Sequence, residues 1–302
     1  MPVETSAAPL PSLAAPLTGP VSVLVVDDDA GSLALLRAIL EPLGQNVVAA
    51  RSGEEALRLS AAEEFAVVLL DVAMPGMDGL ETARRMKADE SLRHVPIIFL
   101  TGAAERAEIA RGYSAGAVDY LLRPYEPEIL RSKVQVFVDL FRLRRQAEIL
   151  THRALHDALT GLPNRTLLLD RLEIALARVD RTQKPVALLF IDLDRFKQVN
   201  DTLGHHAGDQ LLIDVGGALQ RAIRASDTAA RYGGDEFVVL CDGVTGREEA
   251  ERIASRIEHA LERVPVRASI GIALAERPDT APEELIREAD AAMLVAKASA
   301  TR

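Results

Sequence analysis

Short apolar runs alternate with amphipathic stretches along the first half of the chain. "VSVLVV" at 21–26, "NVVAA" at 46–50, "FAVVLLDV" at 65–72, "VPIIFLTG" at 95–102 and "VDYLLRP" at 118–124 are strand-length runs rich in Val, Ile and Leu. Between them, "SLALLRAILEPLG" at 32–44, "GEEALRLSAAE" at 53–63, "GLETARRMKAD" at 79–89 and "ERAEIARGYSAG" at 105–116 carry helical spacing. Apolar runs without polar alternation are strands covered on both faces, and helices between them imply parallel pairing. The pattern predicts a doubly wound parallel sheet over 21–125, with any ligand at the carboxyl ends of its strands.

From 126 to 156 the strand pattern stops. Val136, Leu140, Leu143, Ala147, Leu150 and Ala154 are spaced four, three, four, three, four, an a/d seam on one helix. This predicts a helical, coiled-coil linker; packing of the helix on its own domain is the plainer alternative. Over 157–302 the pattern becomes mixed. Helices are predicted at 170–180, 208–223, 247–261 and 282–298, and strands at 185–194 and 266–276. "TAARYGGDEFVVLCD" at 228–242 reads as strand, Gly-Gly turn and strand, so this second sheet is at least partly antiparallel. Residues 1–20, rich in Pro, Ala, Ser and Thr, read as a disordered tail.

The totals narrow the function. A chain of 302 residues exceeds one compact core, so two domains are expected. With a net charge of −10 and no basic patch, neither nucleic acid nor an anionic membrane is an expected partner. A phosphate ligand would then come with a metal ion. Cys241 stands alone, so no disulfide within the chain is possible; it reads as a small buried hydrophobe in a reducing cytoplasm. No apolar stretch reaches the roughly 18 residues that span a bilayer, and the first residues lack a secretion signal's basic start. A cytoplasmic location is expected.

Two groups of residues carry chemistry. Asp27 and Asp28 follow one predicted strand, Asp71 ends another, Thr101 a third, and Arg123 follows a fourth. Carboxylates converging at strand ends suit Mg²⁺, and a hydroxyl with a cation suits an incoming phosphoryl group. An Asp at a strand end is also a common helix cap. The second group surrounds Gly233 and Gly234. Gly-Gly is an ordinary hairpin signal, but glycine also lets backbone approach a large anion. Asp235 and Glu236 follow directly, and Asp192 and Asp194 end the strand "LLFIDLD". Acid clusters beside a glycine turn fit metal-assisted phosphoryl transfer. The adjacent His205 and His206 have no further His or Cys at ligand spacing and read as structural.

The motifs "VLVVDDD", "LLDVAMPGMDG", "FLTG" and "DYLLRP" occur in order, and over 21–140 the chain resembles a response-regulator receiver domain. The resemblance implies Asp27 and Asp28 as metal ligands with Asp71, and Asp71 as phospho-acceptor. It implies Thr101 as phosphate-contacting hydroxyl and Tyr120 as switch aromatic, with a histidine kinase as partner. Arg123 stands where the family has lysine; it keeps the charge on a larger planar fork.

From Asp157 to Lys297 the motifs "DALTGLPNR", "IDLDRFKQVNDTLGHHAGD", "RYGGDEF" and "ASIGIA" resemble GGDEF-domain diguanylate cyclases. That resemblance implies a palm-like α/β domain that condenses two GTP, one per subunit of a homodimer, into cyclic di-GMP with loss of two pyrophosphates. It implies Mg²⁺ (or Mn²⁺) on Asp192, Asp235 and the Leu193 carbonyl, with Glu236 beside them as metal ligand or base. It places Asn200 and Asp209 on the guanine edge, Lys197 and Lys297 on the phosphates, and Gly233 and Gly234 against the substrate. A carboxylate at Asp209 accepts from guanine N1–H and N2–H₂, which adenine lacks. Arg224 and Asp227 match the family's RxxD site, where cyclic di-GMP binds as feedback inhibitor. Near the C-terminus Leu294 stands where the family commonly has tyrosine, and Ala300, Thr301 and Arg302 where Gly-Arg-Asn usually follows, which points to a weaker hold on GTP. The alternative to an enzyme is a degenerate domain that binds GTP or cyclic di-GMP as an effector.

Overall fold

The structure, a computed structural model, describes residues 19–102 and 119–300. The helix expected at 105–116 and nearly all of the tail lie outside the described residues. The chain divides into two compact units between Ile149 and Leu150, each considered by itself below.

The first unit holds five strands, β1 (Ser22–Val26), β2 (Asn46–Ala50), β3 (Val67–Asp71), β4 (Ile97–Thr101) and β5 (Asp119–Leu122). All pair in parallel, in the order β2-β1-β3-β4-β5. The order reverses between β1 and β3, so the crevice of this doubly wound sheet opens at the carboxyl ends of those two strands. Three helices begin on side-chain caps. Asp29 accepts from Ser32 N at 2.7 Å for α1 (Ala30–Leu40), Ser52 from Glu55 N at 3.2 Å for α2 (Gly53–Ala62), and Asp78 from Glu81 N at 2.7 Å for α3 (Gly79–Ala88). Gly44, at φ +62°, ends the turn that follows α1 in the left-handed region. The even residues Leu24, Val26, Val68 and Leu70 pack on the α2–α3 side, and the odd residues Val23, Val25, Val67 and Leu69 on the α1 side. The strands are buried on both faces, as their continuous apolar runs predict.

Helix α4 (Pro127–Leu155) follows and runs past the division between the units. It has two apolar faces. Leu130, Val134 and Val138 are fully buried with the α1 side of the first sheet. The predicted seam is a different stripe, and its Val136, Leu140, Leu143 and Leu150 are all more than half exposed.

The second unit is built on the antiparallel sheet β7-β8-β6-β9. Its strands are β6 (Val186–Leu193), β7 (Thr228–Gly233), β8 (Glu236–Cys241) and β9 (Ala268–Ala275). Central β6 is buried at all eight positions. Ala187, Leu189, Ile191 and Leu193 pack beneath α7 (His205–Ala222) and α8 (Arg247–Leu261). Val186, Leu188 and Phe190 face α5 (Arg165–Thr182) and α9 (Pro282–Ala300). Helix α5 begins five residues before its expected start, because Asn164 caps it through Leu167 N at 3.1 Å. A short helix, α6 (Phe196–Leu203), had no counterpart in the sequence reading. Among the described residues no helix is long and apolar enough to cross a membrane.

Candidate functional site

In the first unit the switch-point crevice gathers the expected acids. Ligand oxygens of Asp27, Asp28 and Asp71 lie within 4.8 Å of one another. Asp27 and Asp71 are buried and Asp28 is exposed, which leaves one side of the cluster open. The third aspartate of the run, Asp29, is the α1 cap, so capping explains one of the three and not the pair. Arg123 reaches the cluster: Nη2 lies 2.5 Å from Asp27 Oδ2 and 2.9 Å from Asp71 Oδ1, and its guanidinium stacks over the Tyr125 ring at 5.7 Å. The larger fork thus still meets both buried carboxylates. Thr101 is buried at the end of β4, beside β3, and Tyr120 lies half-buried on β5. The position of Asp71 depends on Gly79, where a Cβ would fall 2.1 Å from the Asp71 carbonyl oxygen. No larger residue lets α3 start so close to the strand end.

In the second unit the Gly-Gly turn joins β7 to β8. Gly233 pairs with Glu236, leaving Gly234 and Asp235 as the two loop residues. Gly234 has φ +54°, a left-handed conformation that glycine adopts without strain. A Cβ on Gly233 or Gly234 would meet nothing within 4 Å, so the turn borders open space. Glu236 stands directly opposite Asp192 across the β6–β8 ladder, and Asp235 O accepts from Leu193 N at 3.3 Å. Asp192 shares the parity of Leu188 and Phe190, so it faces α9, where Lys297 Nζ binds its Oδ1 at 2.5 Å. Burial, then the charges of Asp192 and Asp235, push the Glu236 carboxyl above its ordinary value. The Lys297 ammonium is held above its ordinary value chiefly by its hydrogen bond to Asp192. These acids are not gathered as tightly as the three in the first unit. Asp192, Asp235 and Glu236 are three carboxylates with negative charge in excess, and the Lys297 ammonium already sits on one of them. That donor set fits a hard divalent cation.

The missed helix α6 supplies the next group. Asn200 lies against Gly208, where a Cβ would fall 1.9 Å from Asn200 Oδ1; Gly204, at φ +83°, makes the break that folds α6 back on α7. Asp209 follows Gly208 on α7 and is exposed, and Lys197 is exposed on the same short helix as Asn200. His205 and His206 are the exposed first residues of α7. Arg224 and Asp227 close a loop before β7: Asp227 Oδ2 accepts from Arg224 N at 3.0 Å, and Asp227 N donates to Arg224 O at 3.0 Å. Leu294 is exposed on α9, whereas Thr301 and Arg302 lie outside the described residues.

Two charged residues escaped the sequence reading, Arg231 in the quoted "RYGGDEF" and Glu249 in the helix expected at 247–261. Arg231 binds Asp157 through Nη1 at 3.1 and 3.2 Å and the Gly234 carbonyl through Nε at 3.0 Å and Nη2 at 2.8 Å. Glu249 accepts from Arg224 Nη2 at 2.8 Å. Sequence position carries no sign of either pairing.

Comparison with known proteins agrees with this geometry. The family description "Response regulator receiver domain" matches residues 23–135, and "Diguanylate cyclase, GGDEF domain" matches 154–302. The response regulator PleD of Caulobacter vibrioides is 32% identical over 292 residues, covering 92% of this chain and 64% of PleD. The diguanylate cyclase TpbB of Pseudomonas aeruginosa is 41% identical over 169 residues, 53% of this chain and 39% of TpbB. The chain thus spans less than two thirds of the length of either relative. Among solved structures, the coiled coil and GGDEF domain of DgcB from Caulobacter crescentus, in complex with c-di-GMP, aligns with a TM-score of 0.51 at 27% identity, over 57% of this chain and 95% of that one. The chain therefore belongs to the response regulators that join a receiver domain to a GGDEF diguanylate cyclase domain.

Proposed function

We propose that the chain is a phosphorylation-regulated diguanylate cyclase that condenses two GTP into cyclic di-GMP and two pyrophosphates. The observation that carries this reading is the facing of Asp192 and Glu236 across one ladder, with Asp235 beside Glu236 in the open glycine turn and Asn200 against Gly208, next to Asp209, on the helices that follow β6. In the reaction the 3′-hydroxyl oxygen of each GTP attacks the α-phosphorus of the other. The Pα–O bond to pyrophosphate breaks, and the hydroxyl proton leaves. A divalent cation, Mg²⁺ or Mn²⁺, held by Asp192, Asp235 and the Leu193 carbonyl would neutralise the triphosphate and polarise the α-phosphate. With such a cation on Asp192, the Lys297 ammonium would meet the phosphates, with Lys197. Asn200 and Asp209 hold the guanine edge. Glu236, whose proton affinity is raised by burial and then by its acidic neighbours, accepts a hydrogen bond or proton from the incoming hydroxyl.

Each site supplies one half of a symmetric reaction, so two copies must face each other, and proximity is the control. The exposed seam of α4 supports a homodimer, with the seam residues of two copies as its contact. A histidine kinase would supply the phosphoryl group to Asp71 beside Arg123 and Thr101, and cyclic di-GMP would return to Arg224 and Asp227 as inhibitor. The expected setting is the cytoplasm. Purified protein incubated with GTP and Mg²⁺ should yield cyclic di-GMP on chromatography. Glu236→Ala should abolish it, and Asp71→Asn should remove stimulation by a small phosphodonor. A folded dimer saturated with GTP and Mg²⁺ that makes no cyclic dinucleotide would leave a nucleotide-binding effector.

A further inference from the structure

We infer that Glu249 is a positioning residue for the feedback site: it anchors the Arg224 side chain so that a guanine-bearing cyclic dinucleotide meets a preset fork. The inference rests on reading Arg224 and Asp227 as the product-binding pair. Glu249 sits in the first turn of α8 and is only 8% exposed. Its Oε2 is fixed by Thr245 N at 2.7 Å and Thr245 Oγ1 at 2.8 Å, a cap on the start of α8. Its other oxygen, Oε1, accepts from Arg224 Nη2 at 2.8 Å. The two oxygens therefore do different work, and the second has no part in the cap.

Arg224 needs such an anchor, because its side chain is 57% exposed and is not otherwise hydrogen-bonded among the described residues. A free arginine on a loop loses much rotamer freedom when it binds a ligand, and a side chain already held loses less. One of its five N–H groups is taken by Glu249, and the others remain for the edge or phosphate of a nucleotide. The loop is preset in the same way. Asp227 holds its backbone turn through Oδ2, which leaves Oδ1 for the N1–H and N2–H₂ donors of guanine. Arg256 adds a further anchor, donating to the Ala222 carbonyl just before the loop. The carboxylate cannot easily be lost: Thr245, first through its backbone N–H and then its hydroxyl, and then Arg224 hold Glu249 down to about 2.

The test is calorimetric titration of the full chain with cyclic di-GMP in the absence of GTP. Glu249→Gln keeps an oxygen for Thr245 but removes the charge facing Arg224, and it should weaken binding about fivefold. Thr245→Val removes the hydroxyl from the cap and leaves the Arg224 contact, so its affinity should stay near that of the parent. Arg224→Ala should abolish binding. If Glu249→Gln binds as tightly as the parent, or more tightly, while Arg224→Ala does not bind, Glu249 is a helix cap alone and the inference is overturned. If Arg224→Ala binds like the parent, the feedback reading itself fails. Should Glu249→Gln not fold, Glu249→Asp tests the same point: it keeps the charge but draws it back from Arg224, and unchanged affinity there also overturns the inference.

Discussion

Arg231 clamps the glycine turn to the first residues of the GGDEF domain, and cutting that clamp should loosen the turn without unfolding the sheet. Asp157 immediately follows the helical segment predicted to link the two domains, and its carboxylate also accepts from Thr160 N at 2.8 Å and Thr160 Oγ1 at 2.7 Å. The Arg231 and Asp157 side chains are 14% and 23% exposed, too covered for water to replace the pair at no cost. Asp157→Asn retains an oxygen for Thr160 but loses the charge on Arg231. Hydrogen bonds to charged groups contribute about 1.5–3 kcal/mol each, and part of this survives in the amide, so the expected loss is about 1–2 kcal/mol. That corresponds to roughly 5- to 30-fold more frequent opening. The assay is hydrogen exchange read by mass spectrometry on peptides covering β7 and β8, which separates this domain from the receiver. The KM for GTP should rise with it, because the Gly234 carbonyl loses a fixed donor. A double-mutant cycle with Arg231→Gln isolates the pair; a coupling energy below about 0.5 kcal/mol would refute the clamp. The pH dependence has a definite sign. Burial raises the Asp157 carboxyl, but Thr160 and Arg231 outweigh it and hold the group below its ordinary value. The stabilisation is therefore complete above about pH 4 and is lost as pH falls through the depressed value, so the variant's deficit should be constant from neutral to mildly alkaline pH.

Three further outcomes follow from local geometry. Gly234→Ala, at φ +54° with open space around it, should cost about 1 kcal/mol through backbone strain alone, whereas Gly233→Ala should leave the melting temperature unchanged and still weaken GTP binding; equal effects of the two on stability would contradict this. Gly271→Ala should be far more damaging, because a Cβ there would lie 2.1 Å from the Ala289 carbonyl and the Met293 nitrogen and must lift α9 with Lys297; about 3 kcal/mol or more is expected in chemical denaturation. Cys241 is fully buried and its thiol is pushed up to about 12, first by burial and then by Asp227, so iodoacetamide at mildly alkaline pH should label it only after unfolding; rapid labelling of the native protein would show that β8 opens.

Much of this molecule is legible in its order of residues. The unbroken apolar runs of β1, β3, β4 and β6 announced strands covered on both faces, and the switch in pattern after the linker announced a second kind of sheet. The acids at strand ends were visible because strand ends are visible. Helix α6 was not: eight residues with Phe196, Val199 and Leu203 as its apolar positions make too short a period to stand out, although that spacing was the available signal. The seam of α4 was read from its spacing, but the buried face of Leu130, Val134 and Val138 beside it was not, since one helix carries both stripes and only packing tells them apart.

The local code thus settled most of the strands and the longer helices, because period and caps act over a few residues. Tertiary structure decided which charges meet. Asp192 finds Glu236 through antiparallel register, Lys297 finds Asp192 because Gly271 lets α9 lie against β9, and Arg231 finds Asp157 across 74 positions of chain. Contacts between distant residues depend on how closely layers pack and which face each strand turns inward, and neither is written in the spacing of any one segment.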